Sequence, residues 1–535
     1  MKRTIMTISM FLMGMTAVLA QGAFQEYLHC QTDKDFYLAG ERMWFRLWSV
    51  DANDRLQQRS RVAYVELVGT ETNDAHCMVE LKNAGANGVI DLPFALPSGR
   101  YQLRAYTRNM LNLGDDAICH KTIAVMNTLR NDTTKDKVNV GNAMPIVKPS
   151  AGNISVATDK SRYGSRQKVN ITIGQLPSKA QVAVSVARQD GYRIAQSAEF
   201  TPASANDRGI EPEVESQIIT GRYVSDGGDE AARQANITLR SAAIHYYPGD
   251  INGDKVLFRT PLLNGVETIY TGAGVGAHIN LDSPFVSTPL ASLPAISIGA
   301  SDETALQERS VGLQVARYFG TDSVKSQRVP VPALHKYKMY RHYDMDEYKR
   351  FNTFRETFKE YAIECGTTTV DGRRLITMFD EFTSQPNDGN TLVLLDGVAV
   401  MNHEDLLNYN PRLCKYLDIY LGHYVFGGEV YAGILNVRTA NGQSSNFTLP
   451  SNSREVNYQG LQTNTQQTLV CGDDALTPLP ANTPDARHTL YWNPSTQATQ
   501  LACLTSDLKG TFVVTVAGFT PDGEKIEGTT TFTVE

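Results

Sequence analysis

The chain has 535 residues, with 50 Lys and Arg against 57 Asp and Glu, a formal net charge of −7. So mild a negative balance argues against nucleic acid as a partner, and outside the first residues the basic side chains cluster only from Lys336 to Arg350. Apolar content of 41% is ordinary for globular domains, and the length has room for about three to five of them at roughly 100–200 residues each.

Lys2 and Arg3 precede a mostly apolar stretch from Ile5 to Leu19, and Val18-Leu19-Ala20 forms a signal-peptidase site. That run is shorter than the roughly 20 residues of a membrane span. Residues 1–20 therefore read as a signal peptide cleaved after Ala20. Cys30 lies too far downstream to accept a lipid, and no second long apolar run follows. The mature chain is expected to lack a transmembrane segment and to be periplasmic or outer-membrane associated, with surface exposure left open. Export permits disulfides. Seven cysteines, at 30, 77, 119, 365, 414, 471 and 503, leave at least one thiol free or intermolecular, and their pairing stays open.

An internal repeat organises the first part of the mature chain. Thr32-Asp33-Lys34-Asp35-Phe36-Tyr37 returns as Thr158-Asp159-Lys160-Ser161-Arg162-Tyr163, each copy leading into a strand of period two. The strands are Met43 to Trp48 and Val169 to Ile173. Val62 to Val68, Tyr101 to Tyr106 and Gln181 to Val186 alternate or run apolar between Gly, Pro and Asn turns, the pattern of a sandwich. The expected divisions are a sandwich over 21–130, a linker over 131–150, and a second sandwich over 151–205 whose completeness is left open. A third sandwich follows over 206–325. From Asp346 to Cys365, Phe351, Phe354, Phe358 and Tyr361 stand at helical spacing. Buried strands follow from Thr391, so 326–445 reads as a small α+β domain. Residues 446–535 return to strands as a C-terminal sandwich portion. The fold class is mainly β: tandem immunoglobulin-like or macroglobulin-like sandwiches with one small α+β domain.

The stretch from Thr32 through Tyr37 and Gly40-Glu41 resembles the macroglobulin-type sandwich of the alpha-2-macroglobulin family, entered through "TDK-x-x-Y-x-x-G-E". The second copy lacks the Gly-Glu pair. Leu490 to Pro494 with Thr505 to Gly510 is similar to later macroglobulin modules. Leu392 to Val398, with Gly427 to Thr439, resembles the plug domain of TonB-dependent outer-membrane receptors, which makes Asp396, Gly397 and Gly433 interaction candidates. Two departures limit what these resemblances imply. Fewer than a hundred residues follow Thr439, too few for a receptor barrel of about 22 strands. Neither Cys471-Gly472-Asp473-Asp474 nor Cys365-Gly366-Thr367-Thr368 supplies the glutamine of a Cys-Gly-Glu-Gln thioester.

Four local patterns imitate chemistry. Asp250-Ile251-Asn252-Gly253-Asp254 starts like a calcium loop, making Asp250, Asn252 and Asp254 a weak metal candidate. Lys255 and Pro261 occupy the positions that need glycine and an acid, so a hairpin turned on Asn252-Gly253 is the favoured reading. Gly272 to Gly276 mimics a phosphate loop without a following helix. His403-Glu404 opens like a zincin helix, but Leu407 stands where the second ligand belongs. His335 and His342 would share a helix face, among cations that oppose a metal. Trp44 and Trp48 share strand parity and suit a core better than a sugar site, and Asp33 and Asp159 suit a structural turn. No catalytic residue and no cofactor is expected.

The reading that follows is a non-enzymatic envelope binding or scaffold protein, accessory to outer-membrane TonB-dependent transport, with an outer-membrane or periplasmic protein as partner. The alternative is a macroglobulin-like protease inhibitor or surface-defence protein without a thioester, carrying a protease-sensitive segment within Ala440 to Asp485. A hydrolase with a composite site between domains is a third class. Oligomeric state stays open.

Overall fold

The computed structural model describes residues 24–70, 75–130, 138–141, 152–189, 208–227, 233–286, 288–290, 292–299, 302–326, 329–331, 338–380, 383–439, 448–463, 465–467 and 469–535. The expected signal peptide over 1–20 lies outside them. The chain is mainly β and divides into two compact units, one of residues 1–215, 285–328 and 461–535, the other of residues 216–284 and 329–460.

The first unit opens with a sandwich. Three strands, in the order Tyr27–Thr32, Arg42–Val50, Gly85–Asp91, face five in the order Phe36–Leu38, Cys119–Met126, Gly99–Tyr106, Val62–Val68, Ala75–Glu80. All neighbours are antiparallel except Phe36–Leu38, which runs parallel to Ala124–Met126. Arg42–Val50 is buried on both faces. The reason is a second apolar layer: Trp44 and Trp48 pack with Tyr27, Val89, Ala183, Trp492 and Phe519. The two tryptophans are core, with their indole nitrogens donating to Gln467 Oε1 at 3.2 Å and the Gln181 carbonyl at 3.0 Å.

The second repeat copy builds another sandwich, but not from 151–205 alone. Its three-stranded sheet is Val156–Thr158, Lys168–Ile173, Gln500–Leu504; its five-stranded sheet is Arg162–Tyr163, Lys525–Val534, Gly510–Phe519, Gln181–Arg188, Thr489–Thr496. Five residues of Lys168–Ile173 pair with Gln500–Leu504, and all of Gln181–Arg188 pairs with Phe512–Phe519. One core unites Val169, Ile171, Val182, Val184, Leu490, Phe512, Val514 and Phe532. The expected split between 151–205 and 446–535 therefore cuts through one sandwich. Neither half can bury its apolar face without the other.

Two further elements belong to this unit. Val138–Gly141, within the expected linker, pairs in parallel with Ile296–Gly299. Glu303–Tyr318 is a helix, where the sequence reading expected the end of a third sandwich. It begins with Glu303 in its first turn and ends with Arg317 in its last, both favourable to the helix dipole. It buries Arg309 and Gly312, and Ala486 packs so close to Gly312 that a Cβ there would stand 3.1 Å from the Ala486 Cβ.

In the second unit a seven-stranded sheet runs Ala277–Leu281, Gln217–Ser225, Lys255–Thr260, Tyr246–Asn252, Ala235–Leu239, Val266–Ala273, Ser453–Gln459. A mixed five-stranded sheet runs Arg341–Asp344, Cys414–Tyr420, Ile434–Thr439, Leu392–Leu395, Val398–Ala399. The expected helix over Asp346–Cys365 contracts to Phe354–Glu360. A capping box of Thr353 and Glu356 starts it, and Cys365 opens a strand. Phe354 and Phe358 pack from it onto Ile376, Leu417 and Leu435. His342 lies on a strand rather than on a helix.

Candidate functional site

Each repeat copy folds into the same corner. Asp33 Oδ1 accepts from the Tyr37 hydroxyl at 2.7 Å and the Trp44 amide at 3.1 Å, while the Asp33 amide donates to the Trp44 carbonyl at 3.0 Å. In the second copy Asp159 Oδ1 accepts from the Tyr163 hydroxyl at 2.7 Å and the Asn170 amide at 2.8 Å, and its amide donates to the Asn170 carbonyl at 3.1 Å. The lysine between them lies over the tyrosine ring in both, at 4.7 Å for Lys34 and 6.0 Å for Lys160. A short acceptor at the end of one strand thus braces the tyrosine four residues on and the next strand eleven residues on. That is why the Asp and Tyr recur together.

The copies differ in what surrounds the corner. Asp159 is exposed, but Asp33 is buried beside a cavity of about 90 Å³ lined by Lys34, Glu41, Arg42, Arg309, His488 and Thr489, among others. Glu41, absent from the second copy, takes both Arg309 Nε and Nη2 at 2.7 Å. Arg309 also donates to the Phe36 carbonyl at 2.9 Å, which ties the long helix to the first sandwich. Thr489 Oγ1 donates to Asp33 Oδ2 at 2.8 Å, which ties in the second sandwich. Arg487 and Asp485 form a further buried pair at 2.6 Å. Burial works against a charged Glu41, but Arg309 and Lys34 overcome it and hold the carboxyl below its ordinary range. Burial, reinforced by Arg309, holds the His488 imidazole well below its ordinary range and so neutral. Both of its ring nitrogens are shut off from solvent without a hydrogen-bond partner in the structure. The motif pointed to Asp33 and Glu41. Nothing in the sequence reading pointed to Arg309 or His488.

The other residues singled out by sequence fall into structural positions. Asp250 and Asn252 end one strand of a hairpin and Lys255 begins the next, with Gly253 at φ +64° in the turn. Asp250 pairs with Arg259, and Asp254 with Arg222 at 2.7 Å. Among the described residues no group of three or more His, Cys, Asp or Glu is placed to hold a metal ion. Gly272 to Gly276 spans the end of Val266–Ala273 and the turn into Ala277–Leu281. His403 is buried and accepts from the Ile376 amide at 3.0 Å, and burial pushes its imidazole down to about 4. His335 lies outside the described residues.

The three interaction candidates are turned inward. Asp396 is 1% exposed and accepts from the Thr439 amide and hydroxyl, each at 2.7 Å. Asp396 and Gly397, at φ +50° and +85°, make the two-residue turn between Leu392–Leu395 and Val398–Ala399. A Cβ on Gly397 would stand 2.6 Å from the Ser241 carbonyl, and one on Gly433 2.8 Å from Met378 Sδ. These residues shape the interior of the second unit and offer no outer surface. All seven cysteines are unpaired, and six are buried. Burial also raises the half-buried Cys471 to about 11, so neither thioester look-alike holds an activated thiol.

Fold and site together define a mainly β protein of tandem sandwiches, whose charged cavity is built of ion pairs. No protein-family model and no curated protein matches the chain. Among solved structures, the methylamine-reacted alpha-2-macroglobulin of Salmonella aligns over 96% of this chain and 40% of its own, at 9% identity and a TM-score of 0.23. The native alpha-2-macroglobulin of E. coli also aligns over 96% and 40%, at 9% identity and a TM-score of 0.23. The E. coli adhesin FdeC aligns over 52% of this chain and 66% of its own, at 10% identity and a TM-score of 0.15. The chain thus spans 40% of the length of these macroglobulins. Alignments at TM-scores of 0.15 to 0.23 assign the chain neither a fold nor a role, and the plug resemblance of 326–445 draws no support from them.

Proposed function

We propose that the chain is a non-enzymatic binding protein of the cell envelope, exported and then periplasmic or associated with the outer membrane. One observation supports this reading above others: most charged side chains lining the cavity are already held in close pairs. Glu41 holds Arg309, Asp33 holds Tyr37 and Thr489, and Asp485 holds Arg487. Groups locked in such pairs stabilise a platform of two sandwiches and a helix, and function then falls to surfaces. The partner in this reading is another envelope protein, in the service of TonB-dependent transport. The test is affinity capture from detergent-solubilised envelopes. Recovery of a reproducible outer-membrane partner is expected, and recovery of none would overturn this assignment.

A second reading, a macroglobulin-style protease inhibitor without a thioester, is favoured by the corner that forms twice with the same bonds. It requires cleavage to trigger compaction. Of the expected sensitive segment, 440–447 lies outside the described residues and Ser453–Gln459 is an edge strand of the seven-stranded sheet. Limited proteolysis followed by light scattering decides it: an unchanged hydrodynamic radius after cleavage removes the inhibitor reading.

A further inference from the structure

A second cavity of the first unit, of about 370 Å³, lies between Gly85–Asp91 of one sandwich, Thr489–Thr496 of the other and the segment 465–474. The Trp492 amide donates to the Val470 carbonyl at 3.0 Å, which holds that segment against the second sandwich. Two carboxylates line the cavity, and no Lys, Arg or His does. Asp474 is paired with Lys325 at 3.1 Å, from outside the lining. The Asp473 carboxylate and the exposed side-chain amides of Asn87 and Gln466 have no partner among the described residues, while Asn493 is spent on Tyr491 and Ser495. Trp492 is 1% exposed, in the core that also holds Trp44, Trp48 and Phe519. Its indole N–H nonetheless makes no hydrogen bond and is not sealed from solvent, so the little surface Trp492 keeps lies at this cavity. A buried indole N–H usually finds an acceptor. Those of Trp44 and Trp48 do so in Gln467 and Gln181, and that of Trp492 finds none in the chain.

We infer that this cavity binds one uncharged sugar ring, with the Trp492 indole donating to one ring hydroxyl and Asp473 accepting from another. A hydroxyl both donates and accepts, and a sugar carries several that point in different directions. That suits one buried donor, one free carboxylate and two free amides presented by three separate segments. The unpaired carboxylate opposes an anion, and an indole N–H has nothing to offer a cation, which leaves a neutral ligand. The volume falls within the range of about 300–1,000 Å³ usual for small-molecule sites. Because the indole faces are packed in the core, recognition rests on hydrogen bonds and not on ring stacking. The sugar is free or the terminal residue of a glycan. This inference stands apart from the envelope-binding reading, since a free sugar needs no protein partner.

The test is NMR of the full chain labelled with ¹⁵N-tryptophan, whose three tryptophans give three indole N–H signals. That of Trp492 is the one that exchanges fastest with water, because the other two are bonded. Glucose, galactose, mannose and N-acetylglucosamine are titrated near neutral pH, against glucuronate and ethylammonium. Saturable movement of the Trp492 signal by at least one neutral sugar is expected, with no response to either charged control. Asp473→Asn and Asn87→Ala, both at exposed positions, should weaken binding about tenfold and about threefold while leaving the other two signals in place. No response to any of the four sugars, an equal response to ethylammonium, or undiminished binding in Asp473→Asn would overturn the inference. The methyl glycoside of the sugar that binds separates the sources: retained binding identifies a terminal glycan residue, and lost binding confines the site to the free sugar. A failed envelope capture would leave the sugar result intact, so the two failures are distinguishable.

Discussion

Arg309→Met isolates the ion pair that fastens the long helix to the first sandwich. The side chains of Arg309 and Glu41 are 1% and 9% exposed, so the substitution leaves a carboxylate that water reaches poorly. Breaking a buried pair from one side typically costs about 3–5 kcal/mol, and the Phe36 carbonyl loses a donor worth about 1 kcal/mol more. Lys34, 3.4 Å from Glu41, stays behind to offset part of that, so a loss of about 3 kcal/mol is expected. Adding Glu41→Gln removes the stranded charge and should restore at least half of it. The pH dependence has a definite sign. Glu41 is depressed in the folded state, so its contribution is complete above the unfolded value near 4.5 and is lost as pH falls toward the folded value. Arg309→Met should shrink that acid limb. Urea unfolding, with hydrogen exchange over residues 303–318, measures both. A loss under about 1 kcal/mol for the single variant, or a double variant as unstable as the sum of the singles, would refute the pairing argument.

Three other outcomes follow from the geometry. Asp33→Ala, at a buried corner, should cost about 2–3 kcal/mol and Asp159→Ala less than half as much, measured by thermal unfolding; equal losses would contradict the environments described. Gly397→Ala should destabilise the second unit by about 2 kcal/mol, since it sets a side chain at φ +85° against the Ser241 and Leu239 carbonyls; a neutral effect in urea unfolding would rule out that turn. Buried neutral His403 should make the second unit lose about 3 kcal/mol as pH falls from 6.5 to 4, because the unfolded chain takes up the proton first; His403→Gln, followed by exchange in residues 373–380, should flatten that slope.

What the sequence made legible was local. The Asp–Tyr corner could be read because its bonds span only four and eleven residues, and the copy at Asp159 repeats them. Alternating strands announced the sandwich layers, since a half-buried strand must alternate. The hairpin at Asn252-Gly253 was legible in its turn residues. The charged cavity was not, because Arg309 and His488 reach the corner from 268 and more than 400 residues away, by pairings no period encodes. The helix Glu303–Tyr318 was overlooked among strands, although Glu303, Ala305, Leu306, Gln307 and Glu308 are good helix formers. Its apolar side chains are too sparse to announce a face, and it is positioned by an ion pair. Gly397 and Gly433 stand out in the sequence only through the plug resemblance, as interaction candidates, whereas the structure gives them an interior use.

The interrupted second sandwich has a kinetic consequence. Gln181–Arg188 finds both its neighbours more than 300 residues later, in Thr489–Thr496 and Gly510–Phe519. A polypeptide made from its N-terminus must hold the early half with its greasy side uncovered until residues 489–519 arrive. Closing so large a loop makes slow maturation, and dependence on a holding chaperone, inherent in the order of the strands.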